Sequence, residues 1–333
     1  MALPVFTDRS LSHISPNTID LVHIHAPFFV GRFLYRWARK HRKPVVFTYH
    51  SKFHQKFENQ IPFAWMRRRL EHWIGSFVNS CDAITTPSHS FQKSLTTLGI
   101  DGSKTTVVPN GVPPPPPLTD GVKAELNAHP LISRVLEARH AGVPVFLYVG
   151  QLIQEKNPDL LIHAGFQLKQ KSFPFLLIFV GTGDKLAPLK QLRNTLRLQR
   201  EIVFGGKIAD SRIIHYLYSL ADLFTFPSTY ETQGMVVMEA ALHGTPTVGI
   251  EGATGICDMV IHHETGFLTQ ATPQAYAETL IKAIENEALR KTMVDRIQHS
   301  VPVSMEAMVS KYVAVYESLL QKQHQMGACA PRS

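Results

Sequence analysis

Short apolar, β-branched runs alternate with helix-length segments along most of the 333 residues, and this alternation limits the fold more than any other feature of the chain. Strands that are apolar on both faces and joined by helices belong to a parallel sheet covered on both sides. A first set of strands is expected at residues 19–24, 44–49, 83–86 and 106–108, and a second at 144–149, 175–180, 202–204, 223–226, 247–249 and 266–268. Helices are expected near residues 123–138, 158–170, 185–198, 210–219, 235–243 and 273–285, with another around 67–73 and a final one at 305–323 that could pack on either half. Between the two strand sets, the proline run 113–117 can be neither helix nor central strand. The expected division is therefore a first domain over 1–112, a linker and connecting helix over 113–140, a second domain over 141–304, the final helix, and a tail over 324–333. The second domain reads as a complete doubly wound α/β unit. The first has four strands, fewer than such a unit usually carries, and no strand–glycine loop–helix element before Ile19, so it is expected to be incomplete at its front.

Composition narrows the class. Cys81, Cys257 and Cys329 are scattered and form no paired spacing, which indicates neither a disulfide framework nor a zinc site and fits a reducing, cytoplasmic compartment. No apolar run approaches the ~20 residues that span a bilayer, and the first ten residues lack the order of a signal peptide. The net charge of +8 is not spread along the chain: residues 1–112 hold 14 basic and 6 acidic side chains, and the remainder holds 20 of each. Between Arg32 and His72, 11 basic residues face only Glu58 and Glu71. They alternate with Phe28, Phe29, Phe33, Trp37, Phe53, Phe57, Phe63, Trp65 and Trp73. Basic and aromatic residues at helical spacing suit an anionic membrane surface better than nucleic acid. Phe63, Met66, Leu70, Trp73 and Phe77 share one helical face, and the plainer account makes that face the core side of a helix covering the sheet. Arg67, Arg68 and Arg69 are then the lipid-facing candidates.

The densest chemistry follows the strand at 223–226. Glu231 lies in the loop after Pro227 and Ser228, Gly234 opens a helix, and Glu239 lies further along it. Two carboxylates and a row of free helix N–H groups thus meet at the carboxyl end of the sheet, where open α/β sheets bind ligands. Carboxylates accept hydrogen bonds from paired hydroxyls, as on a hexose or a ribose, and the N–H row attracts an anion. Acidic residues complementing a helix dipole would account for one glutamate but not for both. A second element, Gly150 to Asp159, follows the strand at 144–149. Asn157 is a candidate N-cap with Pro158 at the first helical position, which sets Lys156 at the mouth of a helix, a good place for phosphate. Gly181 and Gly183 form a third backbone-exposing turn after the strand at 175–180. Together the three turns, the lysine and the carboxylates describe a nucleotide-sugar pocket.

The succession Gly150-Gln151-Leu152, Lys156, Gly181 to Gly183, Gly205 to Ile208, Glu231 with Glu239, Ala241 to Pro246 and Gly252 to Ile256 resembles the donor-binding half of family-four retaining glycosyltransferases of the GT-B fold. Upstream, Asp20 to His25, Val46 to Ser51, Thr86 to Ser88 and Val108 to Val112 continue the resemblance. Within the family, the stretch 48–57 and the helix around 67–73 look most like bacterial enzymes that glycosylate diacylglycerol or related lipids. The resemblance implies two Rossmann-like domains facing a cleft that closes about the proline linker. It implies that Glu231 holds hydroxyls of the donor sugar, that Gly234, Met235 and Val236 supply backbone N–H groups, and that Glu239 binds the ribose diol. Lys156 would neutralise the diphosphate without a metal or other cofactor, the base would rest near Lys207 and Ile208, and His50 would reach the reacting sugar. His23 and His25 share a strand face and read as two structural histidines rather than a metal site. Gln151 stands where the family usually has arginine, so leaving-group stabilisation is expected to be weaker.

The expected activity is transfer of a hexosyl unit, glucose first among the candidates, from a nucleotide sugar to a lipid-linked acceptor with retention. The expected partners are a nucleotide-sugar donor, a lipid or glycolipid acceptor and an anionic membrane surface, with no nucleic acid, and the expected location is the cytoplasm, with peripheral attachment to the inner face of the cell membrane as the finer expectation. Two alternatives stay open on the sequence: a truncated chain that binds nucleotide sugar without catalysis, and a nucleotide-sugar epimerase.

Overall fold

The computed structural model describes residues 14–51, 61–300 and 303–328. Lys52, Phe53, Lys56, Phe57 and Glu58 of the basic aromatic stretch, the first residues of the chain and Cys329 lie outside the described residues. The chain divides into two compact units, Met1–Asn110 with Met305–Ser333 and Gly111–Ser304.

In unit 1, the strands β1 (Val22–Ile24), β2 (Val45–Thr48), β3 (Ala83–Thr86) and β4 (Thr105–Val107) form a parallel sheet in sequence order. The crossovers carry α1 (Phe29–Lys40), α2 (Ala64–Asn79) and α3 (His89–Thr97). Right-handed crossovers between strands laid down in order put their helices on one face only. The other face needs a separate cover, and the last helix, Met305–Ala328, supplies it. β2 shows both sides of the arrangement through the alternation of a strand: Phe47 meets Phe77 of α2 edge-on at 6.0 Å, while Val46 packs with Leu319, Val315 and Tyr316 of the last helix.

Unit 2 begins with α4 (Asp120–Leu126) and α5 (Pro130–His140). The single helix expected near residues 123–138 is thus two, because Pro130 cannot extend a helix and instead starts one, with His129 Nδ1 accepting from Leu131 N at 3.3 Å. The segment 113–140, expected as a linker with its connecting helix, buries Leu126, Leu131, Ile132 and Val135 in the core of unit 2. There follow β5 (Val145–Val149), α6 (Pro158–Gln170), β6 (Leu176–Val180), α7 (Leu186–Thr195), β7 (Ile202–Gly206), α8 (Ser211–Leu220), β8 (Leu223–Phe226), α9 (Met235–Leu242), β9 (Thr247–Ile250), β10 (Gly266–Thr269), α10 (Pro273–Glu285) and α11 (Glu287–Ser300). α11 had no counterpart among the expected helices. The chain then returns to unit 1 as α12 (Met305–Ala328), which runs through the first half of the expected tail.

The six strands of unit 2 lie in the order β10-β9-β8-β5-β6-β7, all parallel. That is the doubly wound arrangement, with the order reversing between β5 and β8. β5 and β6 are buried at every residue, so the sheet is covered on both faces.

Candidate active site

Chain leaving β5 turns one way and chain leaving β8 the other, so a crevice opens beyond their carboxyl ends. Both of the loops that carry the strongest sequence signals emerge there. The β5 loop is tied to its neighbours by backbone bonds from Gly150 N to Val180 O (3.0 Å), Leu152 N to Thr182 O (3.0 Å) and Lys185 N to Leu152 O (2.9 Å). Such close approach demands glycine: a Cβ on Gly181 would fall 1.9 Å from the Gly150 carbonyl oxygen, and one on Gly183 2.1 Å from that of Leu152. The Gln151 side chain is exposed, while the Tyr148 hydroxyl donates to its carbonyl at 2.8 Å.

Lys156 ends a short 3-10 turn and forms an ion pair with Glu231 through Nζ and Oε1. Ser228 Oγ donates to the same oxygen at 2.6 Å. Glu231 is only 6% exposed, so its charge rests on these partners rather than on water. Its backbone is pinned as well: Glu231 N donates to Thr254 O at 2.8 Å, and Gly255, at φ +76°, approaches so closely that a Cβ would lie 2.5 Å from Glu231 O. Burial, and then the neighbouring Glu231 charge, push the Tyr148 phenol well above its ordinary range. Sequence reasoning placed Ser228 in a turn but gave it no part in the site. Its signal was available, a hydroxyl three residues before the carboxylate. Asn157 does occupy the position before α6, yet its side chain caps nothing: the residue is left-handed at φ 51° and Pro158 follows it as expected.

Gly234 opens α9 at φ +80°. Met235 and Val236 follow it, half-buried, in the first turn of the helix, where N–H groups lack intrahelical acceptors. One turn further on, the half-buried Glu239 carboxylate accepts from Tyr218 Oη at 3.0 Å through Oε2. Burial raises the pKa of Glu239, and the Tyr218 hydrogen bond works against that rise. Tyr218 was missed in the sequence because nothing local marks it. Lys207, exposed, and Ile208, half-buried, follow β7.

His50 lies in unit 1, exposed, just beyond β2. It stacks on His25 at 5.3 Å, and His25 lies 4.2 Å from His23. His23 is held by Tyr316 Oη at 2.7 Å and Thr48 Oγ1 at 2.6 Å. Burial, with the neighbouring His25 and His50, pushes its pKa down to about 4. Among the described residues no group of three or more His, Cys, Asp or Glu is placed to hold a metal ion.

The stripe on α2 departs from the plainer account. Phe63, Met66 and Trp73 are 58%, 41% and 43% exposed, and Trp65 is 63% exposed. Only the last turns, with Ile74, Gly75, Phe77 and Val78, are buried. A core seam needs a facing element, and only those turns find one. Instead of core, Trp73 receives the Arg32 guanidinium over its ring at 3.4 Å, and Arg32 also donates to Trp73 O at 2.7 Å. The three arginines are not equivalent: Arg67 donates to Ile61 O at 3.0 Å and is half-buried, whereas Arg68 and Arg69 are exposed. A groove of about 840 Å³ lies along this face between Trp65, Met66, Arg68, Arg69 and Trp73. Among the described residues no helix is long and apolar enough to cross a membrane.

Comparison with known proteins agrees with this arrangement. The family model "Glycosyl transferases group 1" matches residues 134–300, and "Glycosyltransferase Family 4" matches residues 2–114. The α-monoglucosyldiacylglycerol synthase of Streptococcus pneumoniae is 26% identical over 72% of this chain and 54% of its own length. The enzyme of the same name from Acholeplasma laidlawii is 25% identical over 74% of this chain and 62% of its own. The chain thus spans little more than half the length of these relatives. The crystal structure of Anabaena HepE in complex with UDP superposes with a TM-score of 0.71 at 21% identity, covering 93% of this chain and 84% of that one. The matched models, the doubly wound sheet of unit 2 and the carboxylates at its switch point together establish that this chain belongs to the family-four glycosyltransferases of the GT-B fold.

Proposed function

We propose that the protein transfers a glucosyl unit from UDP-glucose to the hydroxyl of a diacylglycerol-type lipid, with retention at the anomeric carbon, at the inner surface of the cell membrane. The observation that carries this reading is the buried Lys156–Glu231–Ser228 cluster at the β5/β8 switch point, one helical turn and a glycine away from Glu239. Lys156 neutralises the diphosphate as it departs, a task that a metal ion performs elsewhere. Glu231, held by Ser228 and the Thr254 carbonyl, receives hydroxyls of the transferred sugar. The first N–H groups of α9, from Met235 and Val236, stabilise negative charge developing on the leaving group. The bases of uracil nucleotides rest against the backbone at Lys207 and Ile208, and Glu239 takes the ribose diol. We assign His50 to the transferred sugar on the likeness of its motif.

In the reaction the bond from the anomeric carbon to the phosphate oxygen breaks, and the bond to the lipid oxygen forms on the same face of the sugar. The proton of the lipid hydroxyl passes to the departing phosphate, so no enzymic base is required. The monoglucosyldiacylglycerol synthases among the relatives support a lipid acceptor, and HepE, whose crystal structures are complexes with UDP and with UDP-glucose, supports the donor. Exposed Trp65, Met66, Arg68 and Arg69 support a membrane surface: each basic residue near an anionic leaflet contributes ~1 kcal/mol. The test is product formation from UDP-glucose and diacylglycerol in anionic vesicles. Wild-type protein should form a glucosyl lipid and Glu231→Ala should not; ordinary turnover by Glu231→Ala would remove the site assignment.

A further inference from the structure

Behind Glu239 lies a cluster that the proposed reaction does not use. Tyr218, on α8, is fully buried, and a buried phenol needs a hydrogen-bond partner. Its partner is not the backbone but Glu239 Oε2, at 3.0 Å. The ring is fixed from other sides: Phe224 meets it edge-on at 5.5 Å, His243 lies parallel to it at 6.1 Å, and Thr245 Oγ1 donates to its carbonyl at 2.7 Å. His243 is in turn joined to His215 by a ring-nitrogen hydrogen bond of 2.8 Å. The phenol therefore has one place to point. A glutamate on a helix surface has several rotamers of similar energy, and a rigid donor on one oxygen selects among them.

We infer that Tyr218 is a positioning residue for the nucleotide: its hydroxyl holds Glu239 by Oε2 so that Oε1 faces the ribose diol. This rests on the reading of Glu239 as the ribose ligand. The same hydrogen bond opposes the upward pull of burial on the Glu239 pKa, and the ionised form offers acceptors alone to the two hydroxyls. Removing the phenol oxygen does not orphan a donor, and the half-buried carboxylate can turn to water, so Tyr218→Phe should fold.

The experiment measures, by calorimetry, affinity for UDP and for 2′,3′-dideoxy-UDP, which lacks the diol. Tyr218→Phe should weaken UDP by about three- to tenfold, the worth of one net hydrogen bond, and leave dideoxy-UDP unchanged. Glu239→Gln should also weaken UDP selectively, and adding Tyr218→Phe to Glu239→Ala, in which no acceptor remains, should cost nothing more. Equal weakening of both ligands by Tyr218→Phe, or no weakening of UDP, overturns the positioning role while Glu239→Gln still shows selectivity. If Glu239→Gln itself fails to discriminate the two ligands, the ribose reading falls and this inference with it. Should Tyr218→Phe not fold, 3,5-difluorotyrosine installed at position 218 keeps the ring and its hydroxyl and makes the phenol a more acidic donor. It should then alter the UDP to dideoxy-UDP affinity ratio, and an unaltered ratio overturns the inference.

Discussion

Replacing Lys156 with methionine removes the cation from a pair in which the lysine side chain is 19% and the glutamate side chain 8% exposed. Breaking a buried pair by deleting one partner typically costs 3–5 kcal/mol, because the other charge stays behind unpaired. Ser228 still donates to Glu231, and the lysine end admits some water, so about 2–3 kcal/mol is expected here. At ~2–4 °C per kcal/mol for a domain of this size, the melting temperature should fall by roughly 4–12 °C. Glu231→Gln should cost a similar amount by stranding the lysine. The double variant Lys156→Met/Glu231→Gln buries no charge and should melt close to wild type, which gives a coupling energy of about 4–6 kcal/mol. Scanning calorimetry on the four proteins reads this directly. The same series tests function: UDP at a hundred times its dissociation constant should stabilise wild type by about 2.7 kcal/mol and Lys156→Met hardly at all. Single variants that melt within a degree of wild type, or losses that simply add in the double variant, would refute the claim that the two side chains form one buried unit.

Three further outcomes follow from the geometry. Glu239→Ala should raise the KM for UDP-glucose while leaving kcat within a fewfold if, as proposed, the residue holds the nucleotide rather than the reacting bond; a collapse of kcat at saturating donor would contradict that. Gly183→Ala puts a Cβ 2.1 Å from a backbone carbonyl, so the β5 and β6 loops must part. A loss of about 1–3 kcal/mol in stability and weakened UDP binding are expected by thermal shift, and a protein indistinguishable from wild type would count against the loop account. The third concerns pH. Burial lowers the pKa values of His23 and His243 to about 4, against an ordinary 6.5. The unfolded chain takes up these protons first, so stability is full above pH 6.5 and declines as pH falls toward 4. Each ring contributes at most ~1.4 kcal/mol per pH unit, less because it is partly exposed. A melting temperature that stays level over this range, or an acid decline that persists undiminished in His23→Gln/His243→Gln, would disprove the assignment.

Most of the fold was legible because every strand is a run of apolar and β-branched residues bounded by turn signals, and parallel crossovers leave few topologies. What escaped detection lacked such a signal. α11 buries little beyond Met293 and Ile297, so its periodicity is faint. α12 has its role set by a sheet face more than two hundred residues earlier in the chain, at Val46 and Ala83. The α2 stripe had the right period for a core helix, yet period says only that a face is apolar, not that anything covers it. The site divides in the same way. Glu231, Lys156 and Gly234 announce themselves by type and by position after a strand. Ser228 and Tyr218 matter through what they touch, and the contact between Tyr218 and Glu239 joins two helices that only the folded sheet brings together.

The proposed reaction forms a glucosidic bond to a lipid with retention. The most direct measurement is the anomeric proton coupling, by NMR, of the product made from UDP-glucose and diacylglycerol in anionic vesicles. An α-linked glucosyldiacylglycerol, carrying the donor's own configuration, is the predicted product. A β-linked product would contradict the same-face displacement, and release of free glucose or an epimerised nucleotide sugar with no lipid product would contradict the transferase reading itself.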